Sequence, residues 1–169
     1  MIIRILYDYL DQNIMDSSKN NKINKKNIIC YSHKSNNFIN LIKDNLNFKF
    51  IKLHNFSQKQ IINIFKKTKV YLDFGFHPGK DKMPREAALF DNCIITNKKG
   101  SAKNNIDIPI KKKFKIFEKH SNLVLLKKEL NSIFNNYQRE IKHFKSYKFK
   151  IINEKHNFKK NLNKIFIKK

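Results

Sequence analysis

The chain has 169 residues and a formal net charge of +24, with 37 Lys and Arg against 13 Asp and Glu. It is 40% hydrophobic with fifteen Phe, enough to bury one core and too apolar for a disordered polyelectrolyte. No apolar run reaches the roughly 18 residues of a membrane-spanning helix, and the N-terminal MIIRILYDYLDQ lacks a secretory cleavage site.

The first segment, residues 1–26, ends in DSSKNNKINKK, which predicts an exposed linker before the folded part. NIICYS (27–32) is a short apolar run of strand formers. From Asn36 to Leu46, Phe38, Leu41, Ile42 and Leu46 recur three or four apart, as on one helix face. FKFIKL (48–53) mixes apolar and basic residues with a strand period. Ser57 with Gln60 forms a capping box opening a helix lined by Ile61, Ile62, Ile64 and Phe65. VYLDF (70–74) is a third strand, PREAALF (84–90) a short helix begun by Pro84, and NCIIT (92–96) a fourth strand.

Strands alternating with helices predict an α/β fold with a parallel, Rossmann-like sheet of four to five strands flanked by helices, over residues 27–118. IDIPI and KFKIF within that range read as short edge segments. Residues 119–169 read as a helical C-terminal extension. Val124, Leu125, Leu130, Ile133, Phe134, Tyr137, Ile141 and Phe144 form one periodic face, and the tail continues as helix. Cys30 and Cys93 each lie in an apolar run without metal-knuckle spacing, so they read as buried, reduced thiols. This pattern predicts a cytoplasmic protein.

One stretch departs from the Lys, Asn, Ile and Phe of the rest. DFGFHPGKDKMPREAA (73–88) holds two of the three glycines, Gly75 and Gly79, and two of the three prolines, Pro78 and Pro84. It follows the third strand, and open parallel sheets bind ligands outside the carboxyl ends of their strands. Gly75 and Gly79 allow positive φ and close backbone approach, and the helix opened by Pro84 favours an anion at its start. Lys80, Lys82 and Arg85 add positive charge, and Glu86 can accept hydrogen bonds from ligand hydroxyls. The loop after the fourth strand, NKKGSAK, offers Lys98, Lys99, Ser101 and Lys103 around Gly100. Two glycine-bearing loops at neighbouring strand ends suit a phosphate-and-sugar ligand.

VYLDFGFHPGKDKMPREAALFDNCIITNKKGSA resembles the donor-binding region in the C-terminal domain of GT-B-type glycosyltransferases. The matching pieces are HPG at 77–79, MPREAA at 83–88, NCIIT at 92–96 and KKGSA at 98–102. It is most similar to bacterial glycosyltransferase-like proteins of unassigned substrate. The resemblance covers about a third of the chain and implies that a nucleotide-sugar donor is the substrate, with no separate cofactor and no metal. Glu86 matches the glutamate that holds the donor ribose. The family's other glutamate would stand at Pro78, where His77 or Asp81 is the nearest substitute. The phosphate contacts it implies in the first strand's loop fall on His33 and Lys34. In that family the acceptor sits on a second domain, so the resemblance implies half of a two-domain or split enzyme partnered by a separate acceptor-domain protein.

The charge permits another reading, a lysine-rich polyanion-binding protein on an α/β scaffold. Against nucleic acid, only Arg4, Arg85 and Arg139 are arginine, and the lysines are spread along the whole chain. Peripheral contact with a membrane surface stays open on the same charge argument. Sugar, nucleotide, acceptor and stereochemical outcome are not encoded in these motifs.

Overall fold

The computed structural model describes residues 8–19 and 24–166. Four strands, β1 (Lys26–Ser32), β2 (Lys49–Leu53), β3 (Thr68–Asp73) and β4 (Cys93–Thr96), form one sheet in the order β2-β1-β3-β4. All pairings are parallel. The expected α/β architecture is therefore present, with four strands. Ile29 sits beside Phe50 and Val70, and Cys30 beside Ile51 and Tyr71. The two inner strands carry continuous apolar runs because both faces are covered. Cys30 and Cys93 are free and buried, and burial pushes the Cys30 thiol up to about 12.

The crossovers follow the sequence closely. The first is α2 (Phe38–Asn45), which buries Phe38, Ile39 and Ile42. Helix α3 (Gln58–Lys67) opens on the Ser57–Gln60 capping box with both reciprocal bonds made. The third, α4 (Lys82–Leu89), starts two residues before the predicted PREAALF. Pro84 falls in its first turn, where a missing N–H leaves no intrahelical acceptor unpaired. Phe65 of α3 packs edge-on against Tyr71 and stacks against Phe90, tying two crossovers to the sheet.

Three expectations change. The linker is partly helix: α1 (Gln12–Lys19) buries Ile14, while Leu10 before it is also buried. Lys25, expected to be solvated, is half-buried and donates to the carbonyls of Phe65 and Phe90 at 2.5 Å each. These carbonyls end α3 and α4, so one ammonium serves both helix C-termini. Residues 20–23 of that stretch lie outside the described range.

The second change is in the extension. Helix α5 (Leu123–Asn135) buries Leu123, Leu126, Leu130, Ile133 and Phe134. Val124 and Leu125 point outward instead, at 77% and 54% exposed. The long helix then breaks at Asn136, whose φ of −132° and ψ of 45° leave the helical region. Three further helical pieces follow: α6 (Tyr137–Glu140), α7 (Lys145–Ile152) and α8 (Glu154–Phe166). Residues 167–169 of the predicted tail lie outside the described range. Third, KFKIF touches the sheet only by a single bridge from Lys115 to Thr96, although Phe114 and Ile116 are buried.

The extension is not an appendage. Its buried Tyr147 and Ile151 belong to the same core cluster as Leu10, the sheet and α4. Helix α7 packs on α4, and α5 on β3.

Candidate functional site

The order β2-β1-β3-β4 reverses direction between β1 and β3. In open parallel sheets such a switch point, at the carboxyl ends of the two strands, is where ligands bind. The loop after β1 and the loop after β3 meet there. Phe74 N–H bonds Ser35 Oγ at 3.2 Å, and Asn36 N–H bonds Phe74 O at 3.3 Å. Gly75 is tightly placed here: a Cβ on it would lie 3.1 Å from both the Lys34 carbonyl oxygen and Asp73 Oδ1. Lys34 itself is exposed at this rim, with its N–H bonded to Ser32 Oγ.

The glycine-rich stretch and the loop after β4 lock together. Ser101 N–H donates to the His77 carbonyl at 2.8 Å, and the Ser101 hydroxyl donates to the Gly79 carbonyl. Gly100 has φ +53°, and a Cβ there would stand 2.0 Å from the His77 carbonyl oxygen. Only glycine fits that approach. Gly79 faces open space. Lys99 pairs with Glu118, and its N–H caps onto Asn97 Oδ1 at 3.1 Å. Asn97 in turn donates to the Gly75 carbonyl at 2.7 Å.

Glu86 is 1% exposed in the second turn of α4. Its Oε2 accepts from Gln58 Nε2 at 3.2 Å, while Oε1 makes no hydrogen bond and sits 3.2 Å from the Lys82 ammonium. Lys82 is 55% exposed, so a solvated side chain covers a buried acceptor. Arg85, expected to face the same crevice, is turned into the structure. Its guanidinium holds Glu154 Oε2 at 2.9 Å and Asp8 Oδ2 at 2.8 Å, and donates to the carbonyls of Asp81 and Lys80. The Lys80 ammonium also goes to Glu154, at 2.6 Å. Arg85 and Lys80 thus knit α4 to α8 and the N-terminal segment. The two partners lie 77 and 69 residues away in the chain, a separation that short-range pattern cannot see.

His77 is brought beside two carboxylates rather than toward Glu86. Its side chain is fully buried, with Nδ1 2.8 Å from Asp81 Oδ2 and Nε2 3.5 Å from Asp73 Oδ1. Neither ring nitrogen has a hydrogen-bond partner among the described residues. Asp73 is held by the Tyr71 hydroxyl at 2.6 Å and Gly75 N–H at 3.1 Å. Burial raises the Asp73 carboxyl above the usual carboxylate range, opposed by His77, the Tyr71 hydroxyl and the Gly75 N–H. Sequence reasoning missed this triad because Asp73, His77 and Asp81 repeat every four residues through a loop that is not helical. Elsewhere, a cleft of about 570 Å³ opens at the amino-terminal end of the strands, between Asn24, Lys25, Lys69 and residues 134–139.

No family model, no curated protein and no solved structure matches this chain. Among the described residues no helix is long and apolar enough to cross a membrane.

Proposed function

We propose that this chain binds a nucleotide-sugar donor in the manner of the C-terminal domain of a GT-B-type glycosyltransferase, with the acceptor held by another domain or chain. The observation that carries the reading is Glu86: a buried carboxylate in the second turn of α4 with one oxygen free of hydrogen bonds. The Lys82 ammonium is the ion-pair partner of that oxygen, and a ribose hydroxyl taking its place would supply the hydrogen bond Oε1 lacks, worth about 1–3 kcal/mol. Swinging the exposed Lys82 aside would open the path. The start of α4 lies beside this carboxylate, as a diphosphate favours, while the N–H groups of Gly75, Asn97, Lys99 and Ser101 are spent on holding the two loops together. Lys34, at the switch-point rim, is the reading's remaining phosphate contact. Arg85 and Lys80 act one step back, by holding α4 in place.

Calorimetry with UDP, GDP and their sugars tests the proposal. Saturable binding that depends on the nucleotide is expected, with Glu86→Ala weakening it by about 1–3 kcal/mol. Binding that ignores both nucleotide identity and Glu86, yet falls steeply with salt, would replace the proposal with polyanion binding through the +24 surface.

A further inference from the structure

The loop after β3 holds two carboxylates against one imidazole in a place where burial makes that combination costly. Asp73 and His77 are almost wholly removed from solvent, at 5% and 0% side-chain exposure. With both carboxylates ionised, the trio carries one more negative charge than a protonated imidazole offsets, and Asp81, at 26% side-chain exposure, is the member of the trio that solvent reaches. Burying an uncompensated charge is expensive, and groups placed this way are paired or coordinate a metal.

The hydrogen-bond geometry adds a second, separate observation. The carboxylate oxygens lie 2.8 and 3.5 Å from the ring nitrogens, yet neither nitrogen makes a hydrogen bond. The two ring nitrogens point apart, so one of them can ligate an ion while the other is left facing the remaining carboxylate. One donor atom from each of Asp73, His77 and Asp81 lies within 4.8 Å of the other two. Ligands on opposite sides of one ion stand roughly 4–5 Å apart for bonds of 2.0–2.5 Å.

We infer that Asp73, His77 and Asp81 form a binding site for one divalent first-row cation, with Mn²⁺ or Zn²⁺ as its occupant. One imidazole nitrogen with two carboxylate oxygens is a mixed donor set that suits these ions better than an all-oxygen cage suits Mg²⁺. Its supporting shell is built: Tyr71 and Gly75 orient the Asp73 carboxylate, and Ser101 N–H fixes the His77 backbone. Asp81 is the accessible member, at 26% side-chain exposure, so the ion enters from its side and keeps positions open to water or a ligand oxygen. The site stands whether or not the chain binds a nucleotide sugar.

The test is titration of the chelator-stripped, full-length chain with Mn²⁺ and with Zn²⁺, read by calorimetry and by thermal melting. Saturable binding of one ion per chain and a rise in melting temperature are expected. His77→Gln and Asp81→Asn should each weaken binding by about tenfold or more. Asp81 is partly exposed, so its variant keeps the metal-free fold even where the His77 variant does not. Absence of saturable binding by either ion would overturn the site. So would an Asp81→Asn chain that binds as the parent does, which would move the ion elsewhere, for instance to the neighbouring His33 and His54 rings.

Discussion

Two charged clusters, each with buried members, lie within a few residues of each other at the start of α4, and they differ in balance. Around Arg85, two cations (Arg85 and Lys80) meet two anions, Glu154 and Asp8, at 2.6–2.9 Å. Around His77, one imidazole meets two carboxylates, and its nitrogens lack hydrogen bonds. The first cluster balances its charges and joins three parts of the chain, although Glu154 Oε1 lacks a hydrogen bond. The second is complete only when a further positive charge arrives. Burial alone does not separate glue from site, and neither does a missing hydrogen bond; charge count does.

The largest expected effect breaks the balanced cluster. Arg85→Ala leaves Glu154 buried with half its pairing, and should cost about 3–5 kcal/mol in chemical denaturation. Asp81→Asn, made in the metal-free protein, should change stability by less than about 1 kcal/mol, since it removes a partly exposed charge from an excess of like sign. Equal losses for the two variants would erase the distinction.

The next effect probes how the His77 loop is held. Gly100→Ala meets both a positive φ and the His77 carbonyl, and should cost about 1–3 kcal/mol. Gly79→Ala, in the same pair of loops, has nothing within 4 Å of its new methyl. It should stay within about 0.5 kcal/mol of the parent in the same denaturation assay.

Lys25 sharpens the comparison from a third direction, being hydrogen-bonded to carbonyls while its charge is buried. Burial lowers its pKa to about 7, from an ordinary value near 10.5. The folded state therefore binds fewer protons than the unfolded state between those values. Stability should rise with pH across that window, and be lowest below pH 7 where both states are protonated. A gain of about 1–2 kcal/mol between pH 7 and pH 9 is expected, and Lys25→Met should flatten it in denaturant titrations at the two pH values.

The sheet was legible because its signals are local. Apolar runs such as VYLDF and NCIIT, and the Ser57–Gln60 box, need only neighbouring residues to specify their state, and their boundaries came within two residues. The misread parts depend on distant partners. Helix α1 forms where its Ile14 finds the core across the fold, and Lys25 is buried by two helix ends that approach from residues 65 and 90. Val124 and Leu125 fit a helical period, but the face that packs is set by Leu123, Leu126 and Leu130. At the site, the tight placement of Gly75 was readable, while Gly79 faces open space and the left-handed φ belongs to Gly100. The capture of Arg85 by Asp8 and Glu154 was not readable, nor was the gathering of two aspartates around His77.

The edge strand β2 puts the lysine-rich composition in another light. Its residues read Lys49, Phe50, Ile51, Lys52, Leu53, with both lysines exposed and the two apolar residues between them only half covered. A half-covered apolar edge with unpaired main-chain groups is a template for another chain's strand. Two ammonium groups on that edge repel an identical edge and must be desolvated by any other. In a chain this rich in Ile and Phe, lysine at the rim protects against aggregation, a role that calls for no polyanion at all.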